Sequence, residues 1–235
     1  MSIDFYTGTP GSGKSYHCAI EIYNAIRNGK NVIGNIEVNT SAIPPKGNQL
    51  KGDYIFINNE EWLNNSIREM KKDKNGKIRL VQANDVFSCV QGLRGYAFNF
   101  HERNKKGQFK LHQTLLVLDE CSDLFNSRSW NRSDRLTWIS FFRQHRKLGY
   151  DCILISQDDK SIDKQIRSIL ETQYLHRNIS NYKKMGKMLS FPFGGNLFVT
   201  IKSQYGYSKK DAKTGSKFIY GSNKYFEIYD TTQLF

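Results

Sequence analysis

Residues 8–15 read Gly-Thr-Pro-Gly-Ser-Gly-Lys-Ser, which fits the pattern G-x-x-x-x-G-K-[ST]. The apolar residues 3–6 before this stretch predict a short strand. The apolar residues from Tyr16 to Ile26 recur at helical spacing and predict a helix. Strand, glycine loop and helix thus follow one another in the order that a phosphate-binding loop requires. An ordinary glycine turn before a helix is the alternative, and the surrounding strand and helix argue against it.

Such a loop binds phosphate for a simple physical reason. Glycines let the backbone turn tightly, so that successive N–H groups converge on an anion, and the helix N-terminus adds its free donors and its dipole. We expect Lys14 to reach the β and γ phosphates of ATP and act in catalysis. We expect the Ser15 hydroxyl to bind Mg²⁺. The predicted nucleotide-binding residues are Gly8, Thr9, Pro10, Gly11, Ser12, Gly13, Lys14, Ser15 and Tyr16.

A second apolar stretch, residues 115–118, ends in Asp119 and Glu120. A continuous apolar run of this length is typical of a central parallel strand that is buried on both faces. Consecutive side chains diverge at a strand end, so Asp119 can hold Mg²⁺ while Glu120 activates the attacking water. A solvated acidic strand end is the alternative.

Further candidate residues follow the apolar strand 152–155. Gln157 ends it and could contact the γ phosphate, although it could also be an ordinary polar strand terminus. An arginine supplied by a neighbouring subunit would complete a hydrolysis site, and Arg146 and Arg167 are the candidates, although most arginines on such helices are merely solvated. His145 lacks clustered His or Cys partners, so no metal site is predicted there. The guanine-reading motif Asn/Thr-Lys-x-Asp is absent from the sequence, which favours ATP over GTP.

The excess of basic residues has two equally good explanations: the chain binds an anionic partner, or it has a basic face that is simply exposed to solvent. The chain has 235 residues and a formal net charge of +13. Its cysteines (18, 89, 121 and 152) are far apart in sequence, which predicts free thiols in a reducing cytoplasm. The apolar stretch 189–201 is too short to span a bilayer, and so the chain itself is expected to be soluble.

Strand and helix patterns alternate along residues 1–175, which predicts an α/β P-loop NTPase core with a mostly parallel, doubly wound sheet. A helix is predicted over residues 60–70 and another over 161–170. Residues 176–235 are predicted to be a small, basic, aromatic and β-rich extension packed on the core, with strands at 196–201, 218–220 and 225–229. Its aromatic and basic residues either bind single-stranded nucleic acid or belong to a packed appendage: Tyr182, Lys183, Lys184, Lys187, Tyr205, Tyr207, Lys209 and Lys210.

Taken together, the two motifs and residues 145–157, His-Arg-Lys-Leu-Gly-Tyr-Asp-Cys-Ile-Leu-Ile-Ser-Gln, resemble the N-terminal domain of the zonular occludens toxin (Zot) family. Residues 162–170 and 225–231 add to the resemblance. This family includes the filamentous-phage assembly ATPases. The resemblance implies a P-loop ATPase related to the ring-forming DNA-pumping group.

The resemblance also implies partners and a location. It implies a homo-oligomeric ring, such as a hexamer, at the cytoplasmic face of the host inner membrane. The ring would handle phage coat protein, single-stranded DNA or both. Membrane association would use a segment that this chain lacks. Two other functions stay open from the sequence: a nucleotide-gated scaffold with little hydrolysis, and a translocase that acts on chromosomal or plasmid DNA.

Overall fold

The computed structural model describes residues 2–63, 68–72, 74, 78–82, 89–128, 132, 134–207 and 213–229. Its strands are β1 Ile3–Thr7, β2 Asn31–Gly34, β3 Tyr54–Phe56, β4 Arg68–Lys72, β5 Ile78–Gln82, β6 Thr114–Leu118, β7 Tyr150–Ile155, β8 Thr172–Asn178, β9 Leu197–Gln204 and β10 Lys213–Tyr220. Its helices are α1 Lys14–Arg27, α2 Asn59–Leu63, α3 Cys89–Phe100, α4 Cys121–Leu124, α5 Arg135–Leu148, α6 Lys164–Arg167, α7 Lys183–Ser190 and α8 Asn223–Phe226.

One eight-stranded sheet organises the chain, in the order β10-β9-β8-β1-β7-β6-β2-β3. From β8 to β3 every neighbouring pair is parallel, whereas β9 and β10 continue the sheet in antiparallel pairing. The mostly parallel sheet predicted from the alternation of strands and helices is therefore confirmed.

Helices cover both faces of the central strands. Successive residues of β6 point to opposite faces, so Leu116 and Leu118 pack with α3 and α5, while Leu115 and Val117 pack with α1. All five residues of β6 are buried as a result. This two-sided burial explains why β6 reads as a continuous apolar run rather than an alternating one.

The C-terminal extension shares the sheet of the core. The predicted strands 196–201 and 218–220 lie almost wholly within β9 and β10, and β9 pairs with β8 from Thr172 to Asn178. The division predicted between residues 175 and 176 falls inside β8. The division of the chain into a core of residues 1–175 and an extension of residues 176–235 stays a prediction.

The predicted strand over residues 225–229 is wrong. Residues 223–226 form α8 instead, which packs on α1 through Tyr225 against Tyr23 and through Phe226 against Tyr16. Aromatic residues are common in strands, but here their contacts with one helix are satisfied by a single helical turn. Residues 230 and 231, which also entered the resemblance, lie outside the described residues.

Two helix predictions also need correction. The helix expected over 60–70 ends at Leu63 as α2, and residues 68–72 form β4, which pairs with β5 in a separate antiparallel two-stranded sheet. The paired residues are close in sequence, from six positions apart for Lys72 and Ile78 to fourteen for Arg68 and Gln82, so the helical interpretation of residues 60–70 missed a local pairing. The helix expected over 161–170 is limited to α6, Lys164–Arg167. Of the helices that the structure describes, each is too short or too polar to cross a bilayer.

Candidate nucleotide-binding site

Three neighbouring strands bring the predicted site residues to one edge of the sheet. Strand β7 lies between β1 and β6, with Tyr6 in register with Ile155 and Leu118 in register with Leu154. The loop 8–15 follows β1, and residues 119–120 follow β6. Gln157 lies two residues beyond β7. Because parallel strands end at the same edge, these three segments face one another across β7.

The loop after β1 adopts a conformation that glycine alone permits at two positions. Gly8 has φ +146°, and a Cβ there would lie 2.5 Å from the backbone oxygen of His176 in β8. Gly13 has φ +92°, and a Cβ there would lie 2.5 Å from the Phe198 ring of β9. The glycines thus serve both the turn and the close packing of β8 and β9 behind the loop. Asn178 ties the two together by donating to the carbonyl oxygen of Gly11 at 3.3 Å.

Lys14, the first residue of α1, folds back over this loop. Its Nζ donates to the carbonyl oxygens of Gly8 at 2.8 Å and Thr9 at 3.3 Å. Burial lowers the pKa of Lys14, while the carboxylates of Asp119 and Glu120 act in the opposite direction. The ammonium therefore sits where an anion held by the loop would meet it.

A hydroxyl inside the loop adds to this donor set. Ser12 Oγ is buried and finds no hydrogen-bond partner among the residues that the structure describes. The first N–H groups of α1 also lack intrahelical acceptors, as at every helix N-terminus. This set of donors fits a phosphate group chemically.

Asp119 joins the two motifs across 104 positions of sequence. The Ser15 hydroxyl donates to Asp119 Oδ2 at 3.2 Å. The carboxyl group is only 4% exposed, and burial raises the pKa of Asp119 to about 6 against the weaker opposing effects of its hydrogen bonds and of Lys14. A buried carboxylate beside a hydroxyl is a suitable pair of oxygen ligands for Mg²⁺.

Asn35 positions Asp119 and was missed in the sequence. Its Oδ1 accepts from the Asp119 backbone N–H at 2.7 Å, and its Nδ2 donates to the Asp119 carbonyl oxygen at 2.7 Å. Asn35 directly follows β2, the neighbour of β6 in the sheet. A polar residue straight after a buried strand was the available signal, but it is a weak one without the strand order.

Glu120 follows Asp119 in an unusual backbone conformation. Its φ of +44° is in the left-handed region, which non-glycine residues seldom adopt, and its N–H donates to Asp119 Oδ1 at 2.8 Å. The roles expected for the two carboxylates, Mg²⁺ binding by Asp119 and water activation by Glu120, stay predictions. Strained backbone of this kind is common at functional sites.

The two candidate arginines are not at the phosphate loop of their own chain. Arg146 lies in the last turn of α5, which leads into the amino end of β7, and it forms an ion pair with Glu171. Arg167 ends α6, shortly before Glu171, whose N–H bonds to Ile3 at the start of β1. Both arginines therefore belong to the opposite edge of the sheet. Their action on a neighbouring subunit stays a prediction.

A buried histidine pair behind the loop was not foreseen. His17 Nδ1 and His176 Nε2 are 2.9 Å apart, and His176 Nδ1 contacts the carbonyl oxygens of Tyr174 at 2.9 Å and Thr7 at 3.3 Å. Because carbonyl oxygens only accept, His176 carries its proton on Nδ1, and its Nε2 accepts from His17. Burial lowers the pKa of His17 to about 3 and that of His176 to about 4.

The aromatic and basic residues of the extension do not form a single surface. Tyr205 packs edge-on against Phe5 of β1 and donates to Asp159. Tyr182 is exposed beyond the carboxyl end of β8. Lys209 and Lys210 lie outside the described residues. A nucleic-acid surface built from all of them together is not supported.

A cavity of about 650 Å³ lies away from the phosphate loop, beside the amino ends of β1 and β7. Asp4, Glu21 and Asp151 line it together with Lys30 and Lys202. Burial raises the pKa of Asp4 and of Glu21. Its mixed charges and its distance from residues 8–15 in the sheet exclude it as the triphosphate site.

Comparison with known proteins agrees with this geometry. Residues 94–189 match the family model described as zonular occludens toxin (Zot). This part of the chain is similar to the Zot family. The family resemblance that the two motifs and residues 145–157 indicated is confirmed.

The chain is also similar to proteins of bacteriophages. The chain is 28% identical to the gene 1 protein of Enterobacteria phage f1 over 248 residues, which is all of this chain and 60% of that protein. It is 37% identical to the gene 1 protein of Enterobacteria phage I2-2 over 128 residues, which is 52% of this chain and 35% of that protein. The chain thus spans about 60% of the length of the phage f1 relative.

Solved structures share the fold. The N-terminal domain of zonular occludens toxin from Neisseria meningitidis superimposes with a TM-score of 0.52 at 16% identity, over 97% of this chain and 98% of that one. A second solved structure, described as an ATPase domain, gives a TM-score of 0.50 at 10% identity, over 97% of this chain and 84% of that one. The P-loop NTPase fold class predicted from the sequence is confirmed.

Proposed function

We propose that this chain is a Zot-like, ATP-hydrolysing motor for the assembly and secretion of filamentous phage. The observation that carries the proposal is the contact of 3.2 Å between Ser15 and Asp119. It joins the end of the phosphate loop to the acidic end of β6, two segments that a Mg²⁺-ATP site needs side by side.

Each side chain has a role that follows from its place. Lys14 would leave the carbonyl oxygens of Gly8 and Thr9 and pair with the β and γ phosphates. Ser15 and Asp119 would hold Mg²⁺, which neutralises phosphate charge when bound. Glu120 would orient the attacking water and accept its proton. Gln157 would donate to the γ phosphate from the end of the intervening strand.

The partners follow from the family resemblance and from the relatives. Gene 1 proteins of bacteriophages match this chain over its whole length. We infer that the motor acts as a homo-oligomeric ring at the cytoplasmic face of the host inner membrane and handles coat protein or single-stranded DNA. Arg146 or Arg167 of one subunit would then reach the nucleotide of the next.

Glu120→Gln tests the motor directly. The variant keeps the shape of the side chain but cannot accept a proton, so we expect ATP affinity to stay within about twofold and turnover to fall by about a hundredfold or more. The measurements are calorimetry with Mg²⁺-ATP and phosphate release at several protein concentrations. Chelation of Mg²⁺ should abolish turnover in the unmodified chain.

Asp123→Asn is the matched control, because Asp123 is an exposed acid in α4, three residues beyond Glu120. We expect it to leave binding and turnover unchanged. Unchanged turnover in Glu120→Gln would remove Glu120 from the mechanism. ATP binding without turnover at any concentration of the unmodified chain would favour the nucleotide-gated scaffold instead.

A further inference from the structure

Helix α7 exposes its large apolar residues and buries its small ones. Met185 is 73% exposed, Met188 is 69% exposed, and Leu189 is also exposed. Gly186 and Ser190 are the buried positions instead. Helices of a globular domain normally place their large apolar side chains against the core, so this arrangement is inverted.

Gly186 explains how the inverted helix is held. A Cβ at this position would lie 2.0 Å from the carbonyl oxygen of Ile179, so glycine lets α7 rest directly on the turn 179–181. The Gly186 N–H donates to the Tyr182 carbonyl oxygen at 2.7 Å. Close packing of this face of α7 leaves its Met and Leu side chains directed to solvent.

The exposed apolar surface continues beyond the helix. In the turn 191–193, Phe191 is 83% exposed. The Phe193 ring packs against the Tyr220 ring of β10 at 4.7 Å, and both rings are more than one-third exposed. We call this surface the apolar patch, and it consists of Met185, Met188, Leu189, Phe191, Phe193 and Tyr220. Several large apolar side chains exposed within nine consecutive residues, 185–193, indicate an interaction site.

Positive charge accompanies the apolar patch. With about 100° per residue, Lys184 and Lys187 lie on one side of the apolar residues of α7 and away from the buried Gly186. Both lysines are exposed. Residues 172–210 contain no Asp or Glu. The occupant of the patch must therefore supply both apolar contact and negative charge.

We propose that α7 and the turn 191–193 dock on the surface of an anionic lipid bilayer. Met, Leu and Phe side chains would enter the boundary between headgroups and acyl chains, while Lys184 and Lys187 pair with anionic headgroups, as in interfacial amphipathic helices. At this patch a second copy of the chain is a poorer occupant, because a chain of net charge +13 offers Lys184 and Lys187 less negative charge than an anionic bilayer does. Nucleic acid is also poorer, because Phe191 and Phe193 could stack on bases but Met185, Met188 and Leu189 would gain no apolar environment from them.

This contact goes beyond the proposed motor function and places a bilayer beside the nucleotide edge. Strand β8 is parallel to β1, so the excursion that contains α7 leaves the sheet at the edge where the phosphate loop lies. Asn178, the last residue of β8, also donates to Gly11 of that loop. The membrane-facing side of the domain would thus be its phosphate-loop side.

Flotation of the full chain with lipid vesicles tests the proposal. We expect binding to vesicles of phosphatidylcholine with phosphatidylglycerol and little binding to phosphatidylcholine alone. Met188→Glu combined with Phe191→Glu should weaken partition at least about tenfold, because two exposed apolar contacts are lost and negative charge is added. Lys184→Gln combined with Lys187→Gln should weaken it by about fivefold per lysine at low salt.

Leu136→Glu is the matched control, because Leu136 is 69% exposed on α5. We expect this change to reduce partition no more than about twofold. An equal loss in Leu136→Glu, or no vesicle binding by the unmodified chain, would overturn the proposal. Two other results would also overturn it. One is an oligomer that dissociates when Met188→Glu and Phe191→Glu are introduced, and the other is a loss of oligonucleotide binding with vesicle binding unchanged.

Nucleotide binding separates this proposal from the motor. Met188→Glu with Phe191→Glu should leave ATP affinity unchanged, because neither side chain belongs to the phosphate loop. Lys14→Ala should lose ATP binding and keep vesicle binding. A failure of one proposal is therefore distinguishable from a failure of the other.

Discussion

Two excursions leave the same edge of the sheet and are built in opposite ways. The phosphate loop 8–13 joins β1 to α1 and turns inward: Ser12 and Lys14 are buried, and β8 and β9 pack behind the glycines. The excursion 179–196 joins β8 to β9 and turns outward, with its large apolar side chains in solvent. One edge of a parallel sheet thus carries both a tightly constrained site and an exposed surface.

This difference in burial predicts which substitutions affect both stability and binding and which affect binding alone. Gly8, Ser12 and Lys14 are constrained by backbone conformation or by burial, so substitution of these loop residues should change folding as well as binding. Exposed residues of the excursion make few contacts, so their substitution should change binding alone. Three predictions test this contrast, and the opposite result in any of them would contradict it.

The largest expected effect is that of Gly8→Ala. The φ of +146° is almost exclusive to glycine, and the added Cβ would overlap a backbone oxygen that cannot move independently. We expect the free energy of unfolding to fall by about 4 kcal/mol, as measured by urea denaturation. Gly194→Ala is the control in the excursion: φ is +62° but the space is open, so a loss of about 1 kcal/mol is expected. Equal losses would contradict the contrast.

Asp119→Asn should stabilise the nucleotide-free protein. Burial raises the pKa of Asp119 from 3.8 to about 6, so the folded state binds the proton more tightly than the unfolded state does. Stability from this group therefore falls as pH rises through that window, and the variant should be more stable at pH 8 by about 3 kcal/mol.

Thermal unfolding checks this expectation at pH 8 and in acid. The advantage of Asp119→Asn should shrink below pH 6, and Mg²⁺-ATP should raise the melting temperature of the unmodified chain only. Asp123→Asn, at an exposed position, should change stability by less than about 0.5 kcal/mol. A variant less stable than the unmodified chain at pH 8 would show that the Ser15 and Asp119 contact outweighs burial.

The smallest effect concerns the buried histidine pair. Imidazole in the unfolded chain has a pKa of about 6.5, whereas burial lowers the pKa of His17 to about 3. Unfolding therefore takes up a proton at His17 below pH 6.5. Because of this, the free energy of unfolding should fall by about 2 kcal/mol as the pH is lowered from 7.5 to 5. His17→Asn keeps a donor for His176 and should reduce this loss by that amount in urea denaturation. If the free energy of unfolding of the variant depends on pH as steeply as that of the unmodified chain, groups other than His17 cause the acid sensitivity.

Local patterns predicted the core of the fold well. The loop 8–15 needs positive φ at fixed positions, and β6 needs an unbroken apolar run. Both features depend on consecutive residues, so they are visible in the sequence. The helix expected over 60–70 failed because residues 68–72 pair as a strand with residues 78–82, and this nearby pairing outweighed the helical spacing of the apolar residues. The strand expected over 225–229 failed because packing on α1 overrode the aromatic pattern.

The sequence alone determined which residues could hold a triphosphate and a metal, since glycine spacing and strand-end carboxylates act through the backbone around them. The tertiary structure decided that Ser15 meets Asp119, that Asn35 supports that carboxylate, and that His176 lies against His17. It also decided which way α7 faces. Such contacts join residues far apart in the chain, and only the order and register of the strands bring them together.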